Sequence, residues 1–188
     1  MNDSNGSTLT DEAIAEAVQG GDAAAFGTLM ERYGPRMQRY ARRFLFGYED
    51  AEDQVQEVFL KAYANIRSFD AGRKFSSWLY RIAHNEFINA IKKRGREPVS
   101  FLDPDTLFPH PVAKERADAA ARADETRALL DRGLSGLDPK YREPLVLFYY
   151  EEMDYREIAD ILRIPVPTVG VRLNRGRAAL KKAVEGKT

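Results

Sequence analysis

A cluster of basic residues near the end of the chain is the strongest chemical signal in the sequence. Residues 154–182 have the pattern of a short helix, a tight turn at 163–165 and a second helix with Val169 and Leu173 facing inward. This layout is typical of a helix-turn-helix, whose second helix fits the major groove of DNA. A solvated basic face on an ordinary helical hairpin is the alternative. The candidates for base or phosphate contacts are Arg172, Arg175, Arg177, Lys181 and Lys182.

A second segment, residues 75–96, places aromatic side chains beside basic ones. Aromatic rings can stack on unpaired bases while lysine and arginine hold the nucleic-acid backbone. Aromatics at helical spacing are also typical of a hydrophobic core, which is the alternative for Trp78. Tyr80, Arg81 and Asn85 are the stronger candidates for nucleic-acid contacts, because the periodicity predicts that they lie off the apolar face.

A third segment, residues 49–57, is acidic and contains no basic residue. Clustered carboxylates could bind a divalent metal, and beside a DNA-binding surface Asp50, Glu52 and Asp53 would then indicate a nuclease. Negative charge is also favoured in the first turns of a helix by the helix dipole, so a solvated helix start is one alternative. A docking patch for a basic partner helix is another.

The composition limits the possible function classes. The 188 residues include 29 basic and 29 acidic side chains, so the global basic excess that would indicate nucleic-acid binding is absent. The uneven distribution of these charges instead predicts separate surfaces for nucleic acid and for a basic partner. Because the chain has no cysteine and only two histidines, we expect no disulfide, no cysteine-based zinc site and no histidine-rich metal centre. We also expect no cofactor. No apolar run approaches the roughly 18–20 residues that span a bilayer, and no signal peptide is recognisable, so we expect a cytoplasmic protein without membrane insertion.

Helical spacing recurs along most of the chain, and we predict an all-α protein with two small domains. This spacing assigns Met30 and Tyr63 to inward helix faces of the first domain. A linker between the domains is predicted from its prolines and its lack of periodicity. The predicted segments are a disordered N-terminus at 1–9, a first helical domain at 10–95, a linker at 96–112 and a helix-turn-helix domain at 113–188.

Local signals predict where several helices start, bend or end. The Gly-Pro dipeptide at 34–35 should kink or split a helix of the first domain, and Pro144 should bend a helix of the second. The Asp-Pro dipeptide at 138–139 is a typical helix start. Asp154 and Glu157 have the spacing of a capping box.

Three blocks of the sequence together resemble the extracytoplasmic-function sigma factors, the minimal group of bacterial sigma subunits. The family's region 2.2 is similar to DAEDQVQEVFLKAY, and its regions 2.3–2.4 are similar to FSSWLYRIAHNEFINAIKKRGR. Region 4 is similar to LDPKYREPLVLFYYEEMDYREIADILRIPVPTVGVRLNRGRAAL. The blocks occur in the expected order, and the resemblance covers nearly the whole chain beyond residue 20.

The resemblance implies a transcription initiation factor that binds core RNA polymerase and promoter DNA and is not an enzyme. The surface that docks on the clamp helices of the polymerase's largest subunit would include Asp50, Glu52, Asp53, Gln56 and Glu57. A flipped base of the −10 element would be held by Phe69, Asp70 and Asn85. The −10 strand would be contacted by Tyr80, Arg81, Lys92, Lys93, Arg94 and Arg96.

The resemblance also implies that the last helix reads the −35 element in duplex DNA. The chain departs from the family pattern there, because Gly170-Val171 stands where a lysine-serine pair is usual. We therefore expect the −35 contacts to come from Thr168, Arg172, Asn174, Arg175, Arg177 and Lys181. A membrane-linked anti-sigma protein that covers the polymerase-binding surfaces is a further implied partner.

Two other functions stay open at this point. A stand-alone helix-turn-helix regulator would need only residues 154–182, with the first domain serving dimerisation or sensing. A metal-dependent nuclease would use the acidic cluster. Binding to core polymerase, palindromic target sites and metal-dependent cleavage would discriminate among the three functions.

Overall fold

Two helical bundles make up the part of the chain that the computed structural model describes, residues 9–45, 51–94 and 129–185. The first bundle contains α1 (Asp11–Gln19), α2 (Ala25–Phe44), α3 (Ala51–Asn65), a 3-10 turn (Ile66–Ser68) and α4 (Phe75–Arg94). The second contains a helical segment at 129–135, α5 (Pro139–Tyr149), α6 (Tyr155–Leu162) and α7 (Val166–Glu185). No strand occurs within these ranges, which confirms the predicted all-α class.

Some of the predictions fall outside the described residues. The predicted linker at 96–112 lies there, and so do residues 1–8 of the predicted N-terminal segment. Of the alanine-rich helix expected at about 113–132, only residues from 129 onward are described, and these are helical.

Aromatic side chains fill the core of the first bundle. Tyr40, Phe44, Phe75 and Phe87 are fully buried. The ring centroid of Phe87 lies 5.1 Å from that of Tyr40 and 6.4 Å from that of Phe44, distances at which aromatic pairs attract one another. These contacts pack α4 against α2 and so determine which face of α4 is left for binding.

The dipeptide at 34–35 was predicted to kink or split a helix, and it does not split α2, which continues without interruption from Ala25 to Phe44. Pro35 removes one backbone hydrogen bond, to the carbonyl of Glu31. Pro35 and Glu31 are both exposed, so water can donate a hydrogen bond to that carbonyl. Tyr33 and Met37 are buried on the opposite side, and their packing holds the helix together.

Polar contacts join α1 to the rest of the first bundle. The Thr10 hydroxyl caps α1 by accepting a hydrogen bond from the Ala13 amide at 3.2 Å. The Asp11 carboxylate accepts hydrogen bonds from the Tyr33 hydroxyl and from the Arg32 guanidinium, both at 2.6 Å. Burial, and then the hydrogen bond to Asp11, raise the pKa of Tyr33 well above its usual value.

The free energy of unfolding should fall above about pH 10, and Tyr33 should cause part of the fall. The folded protein keeps this phenol protonated because its pKa is raised, whereas the unfolded chain releases the proton near pH 10. The stability from this group is therefore complete below about pH 10 and is lost as the pH rises. Urea unfolding at about pH 8 and pH 11 should show that the wild type loses about 1.4 kcal/mol more than Tyr33→Phe. Equal losses in the two proteins would contradict the prediction.

Helix-end signals predicted for the second bundle are confirmed. The Asp138 side chain accepts a hydrogen bond from the Lys140 amide, with Pro139 at the first helical position of α5. Asp154 and Glu157 form a complete capping box at the start of α6. The turn after α6 is made by Arg163, whose φ of 51° is left-handed. α5 also continues through Pro144, which is buried.

The two bundles pack against each other. α4 contacts α6, and α2 contacts α5. The first helix of the helix-turn-helix therefore lies beside the helix that carries the candidates for single-strand contacts.

Candidate nucleic-acid interface

A cavity of about 720 Å³ lies beside the first half of α4 and is called the α4 cavity below. It brings together four residues that were predicted to meet the −10 element: Phe69, Asp70, Arg81 and Asn85. It is also lined by Asn65, Ser68, Arg73, Lys74, Ser77, Trp78 and Ile82 of the first bundle and by Asp160 and Arg163 of the second. The signal that could have identified Lys74 and Ser77 is helical spacing, because they precede Arg81 by seven and four positions.

Hydrogen bonds from α1 hold the walls of the α4 cavity in place. The side-chain amide of Gln19 donates to the carbonyls of Ile66 and Phe69, both at 2.8 Å. The Glu12 carboxylate accepts a hydrogen bond from the Phe75 amide at 2.9 Å and thereby caps α4. These contacts make α1 a support for the loop between α3 and α4.

Aromatic packing determines the role that Phe69 can play. Its ring lies 5.4 Å from that of Phe75 and 5.3 Å from that of Trp78, and only 5% of Phe69 is exposed. Phe69 is therefore part of the cavity wall. Asp70 next to it is exposed, and its carboxylate accepts a hydrogen bond from the Gly72 amide at 3.0 Å, which orients the turn.

The chemistry of the α4 cavity suits a single nucleic-acid strand. Arg73, Lys74 and Arg81 can neutralise phosphates. Contacts of this kind supply essentially all of the free energy of non-specific binding to nucleic acids. The amide of Asn85 can bond to a base edge, and the ring of Trp78 offers an apolar wall for an unstacked base.

Tyr80 does not line the α4 cavity. It is fully buried, and its hydroxyl donates a hydrogen bond to Glu151 of the second bundle. The expectation that Tyr80 lies off the apolar face is wrong, because α4 is covered on a second side by α2 and by the second bundle. Three more residues with predicted strand contacts lie in the exposed last turn of α4, away from the cavity, and these are Lys92, Lys93 and Arg94. Arg96, the fourth residue of that predicted cluster, lies outside the described residues.

The outward face of α7 is centred on Val171, which is 47% exposed. Asn174 and Arg175 follow it by three and four positions and are exposed on the same face. Sequence reasoning missed Val171, since it offers no hydrogen bond. An exposed apolar side chain can nevertheless contact the methyl group of thymine in the major groove.

Other residues predicted for duplex contacts lie on the flanks of α7. Thr168 and Arg172 are partly buried. The Arg177 guanidinium donates to the side chain of Asn174 at 2.9 Å and to the carbonyl of Leu173 at 3.3 Å. Arg177 and Lys181 also line an apolar cavity within the second bundle. Arg175 and Arg177 therefore lie on different faces of α7.

Alanine substitutions at two glycines of α7 should have opposite effects on stability. A Cβ at Gly170 would meet only the Tyr155 ring, at an ordinary 3.6 Å, so Gly170→Ala should raise the free energy of unfolding by up to about 1 kcal/mol. A Cβ at Gly176 would lie 3.0 Å from both a Leu145 methyl group and the Tyr141 carbonyl oxygen. Gly176→Ala should therefore destabilise by about 1–3 kcal/mol. Urea unfolding of both variants measures the two signs, and stabilisation by Gly176→Ala would contradict the packing.

Residues predicted to dock on the polymerase lie at the start of α3. Glu52, Asp53 and Gln56 are exposed and Glu57 is partly buried, while Asp50 lies outside the described residues. Glu52 forms a salt bridge of 2.9 Å with Arg42, and Glu57 lies 3.6 Å from Lys61.

An apolar groove of about 670 Å³ between α2 and α3 continues this acidic surface. It is called the α2–α3 groove, and it is lined by Phe26, Met30, Gly34, Gln38, Val55, Gln56, Phe59, Leu60 and Tyr63. Met30 and Tyr63 are each 45% exposed, so their predicted inward positions are wrong, and Leu60 is 64% exposed. Exposed apolar side chains that adjoin one another beside charged residues are typical of protein-protein contact sites.

Models of two protein families match the chain. Sigma-70 region 2 matches residues 29–97, and Sigma-70, region 4 matches residues 127–180. The ECF RNA polymerase sigma factor SigW of Bacillus subtilis is 39% identical over 174 residues, which cover 88% of this chain and 91% of the relative. The chain belongs to the extracytoplasmic-function sigma factors.

Further comparisons agree with this membership. The ECF RNA polymerase sigma-E factor of Escherichia coli K12 is 33% identical to this sigma factor and covers 94% of it, with 95% of the relative covered. The solved structure of CnrH in complex with the cytosolic domain of CnrY has a TM-score of 0.69 at 29% identity and covers 95% of this chain and 99% of that chain. The sigma factor RpoE in complex with the anti-sigma factor NepR from Bartonella quintana has a TM-score of 0.66 at 28% identity, with 85% and 96% covered.

As a sigma factor, the protein is a transcription initiation factor and not an enzyme. The stand-alone regulator and the nuclease are not favoured by the comparisons. Within the described ranges, no three histidine, cysteine or acidic side chains lie close enough together to hold a metal ion. None of the described helices is long and apolar enough to cross a membrane.

Proposed function

We propose that this sigma factor brings core RNA polymerase to promoters through three surfaces: the α4 cavity, the outward face of α7 and the α2–α3 groove. The observation that carries the proposal is the α4 cavity, which joins cations, amide groups and an aromatic wall at one place. A protein that binds only duplex DNA would need basic side chains for the phosphates, but it would not need a cavity beside them.

An unpaired base of the −10 element is the occupant that suits the α4 cavity. Extruding a base costs a few kcal/mol of lost stacking and pairing, which contacts in the pocket must offset. Asn85 and Asp70 would bond to the edge of the base, and Trp78 would pack on its face. Arg81 and Lys74 would hold the phosphates on either side.

The outward face of α7 would enter the major groove at the −35 element. Arg175→Ala should lower transcription from a matched promoter about tenfold, because the loss of one base or phosphate contact amounts to about 1–3 kcal/mol. Arg177→Ala removes the same charge from the same helix, but Arg177 already bonds to Asn174 and to the Leu173 carbonyl. We expect this control to stay within about twofold of the wild type. An equal loss of transcription in the two variants would contradict the proposal that the outward face of α7 binds the −35 element.

The α2–α3 groove, together with the exposed carboxylates of α3, would bind the clamp helices of the polymerase's largest subunit. Two similar proteins of known structure are in complexes, CnrH with the cytosolic domain of CnrY and the sigma factor RpoE with the anti-sigma factor NepR. We propose that an anti-sigma protein also binds this chain and covers the α2–α3 groove, and that the chain works in the cytoplasm, where the polymerase is.

Run-off transcription with purified core polymerase and a library of promoter fragments tests the proposal. We expect start-site selection that depends on this protein and is lost with Asp53→Arg, which reverses a charge on the docking surface. Transcription that is indifferent to the added protein would refute the proposed function.

A further inference from the structure

Two ion pairs that join the bundles, within the part of the chain that the structure describes, have the same polarity. Lys74 Nζ lies 2.7 Å from Glu157 Oε1, and Arg81 NH1 lies 3.5 Å from Asp160 Oδ1. In both pairs the cation belongs to the first bundle and lines the α4 cavity, and the carboxylate belongs to α6. α6 therefore presents negative charge where a DNA strand would present its phosphates.

Two more carboxylates of the second bundle are buried in the same interface. Glu143 is 3% exposed, and its Oε1 accepts a hydrogen bond from the Tyr40 hydroxyl and lies 2.7 Å from His84 Nδ1. Glu151 is also 3% exposed and accepts hydrogen bonds from the Tyr80 hydroxyl and, at 3.4 Å, from Arg36 Nε. All four of these partners belong to the first bundle.

An interface of this kind can open. Burying a carboxylate forfeits its hydration, and buried pairs often yield little net stability for that reason. One oxygen of Glu151, Oε1, is buried without a hydrogen-bond partner among the described residues, so it would gain water on opening. Interfaces between domains that are this polar commonly permit relative motion.

Resting on the promoter role proposed above, we propose that the chain closes on itself and that α6 competes with single-stranded promoter DNA for the α4 cavity. In the closed form Glu157 and Asp160 bind Lys74 and Arg81, the cations that the −10 strand needs. The strand enters the cavity when the second bundle moves away. Free sigma factor therefore binds single strands weakly, and separation of the bundles is a step in promoter binding.

The test uses the full chain with the double substitution Glu157→Gln and Asp160→Asn. Both changes remove a charge and keep the shape of the side chain, and glutamine can still accept the capping hydrogen bond from the Asp154 amide. Fluorescence anisotropy would measure binding to a fluorescein-labelled single strand of about fifteen random nucleotides at several salt concentrations.

Two results are expected. At about 50 mM salt the double variant should bind the strand several-fold more tightly than the wild type. The plot of log K against log salt should also be steeper by about 1.4, because two freed cations each add about 0.7 for a phosphate on a single strand.

The matched control is the double substitution Glu16→Gln and Glu31→Gln. These glutamates are exposed on α1 and α2, and their replacement changes the net charge by the same amount. An equal gain in affinity by both double variants, or no gain by either, would overturn the closed form.

The absence of cysteine allows an independent measurement. Exposed Thr28 of α2 and Lys182 of α7 can be replaced with cysteine and labelled for energy transfer between the bundles. The same strand without fluorescein should lower the transfer efficiency, and the Glu157→Gln, Asp160→Asn background should lower it without DNA. Unchanged transfer in both cases would overturn the proposal.

These measurements contain no polymerase, so their outcome is separate from that of run-off transcription. If transcription depends on the protein while neither affinity nor energy transfer responds, the promoter role stands and the closed form falls. If both respond but no transcription is supported, the promoter role falls instead.

Discussion

Leu60→Glu should reduce the affinity for core RNA polymerase about 100-fold or more, with little effect on the fold. Leu60 is the most exposed apolar side chain of the α2–α3 groove, so the isolated protein tolerates a charge there. In the complex the same charge would be buried without a partner, which costs several kcal/mol, and the apolar contact would be lost as well. Native gel shift of core polymerase with the labelled protein measures the change.

Leu9→Glu is the matched control for this prediction. Leu9 is 60% exposed, nearly the same as Leu60, but it precedes α1 and does not line the groove. The control should bind polymerase as the wild type does. If Leu60→Glu binds equally well, the groove is not the docking surface.

Asn85→Ala should lower transcription about tenfold or more by weakening the hold on the unpaired base. Asn85 is exposed and lines the α4 cavity, so its truncation leaves the core untouched. The removed amide is the group that can donate to and accept from a base edge at the same time. Run-off transcription measures the loss in the holoenzyme.

Asn89→Ala serves as the control, since Asn89 is exposed on the same helix one turn later and does not line the cavity. In the isolated protein, Trp78 is the only tryptophan and forms part of the cavity wall. Its emission should respond to single-stranded DNA at lower concentrations in Asn89→Ala than in Asn85→Ala. Indistinguishable titrations would remove Asn85 from the base-binding site.

Features that depend on local sequence were predictable. The capping box of α6 and the start of α5 each need only residues within four positions of one another. Phe69, Asp70, Arg81 and Asn85 were linked by the family resemblance, and the structure brings them to one cavity.

Features that depend on packing between elements were not predictable. Helical periodicity finds one apolar face, whereas α4 has two covered sides, and so Tyr80 was misassigned. The exposed positions of Met30 and Tyr63 were missed because no other helix in the described part of the chain covers them. Periodicity assigns an apolar residue beside a core face to the interior whether or not another helix packs on it. Glu143 and Glu151 have no sequence signature at all, because their partners lie in the other bundle.

The hydrogen bonds from α1 to the loop before α4 determine which fragments of the first bundle keep an intact binding site. The region 2 match begins at residue 29, which makes a shortened fragment starting there an obvious choice for expression. Such a fragment would contain every residue that lines the first bundle's side of the α4 cavity, yet it would lack Gln19 and Glu12. Weak DNA binding by a truncated protein would then report a loosened loop rather than the properties of the intact site.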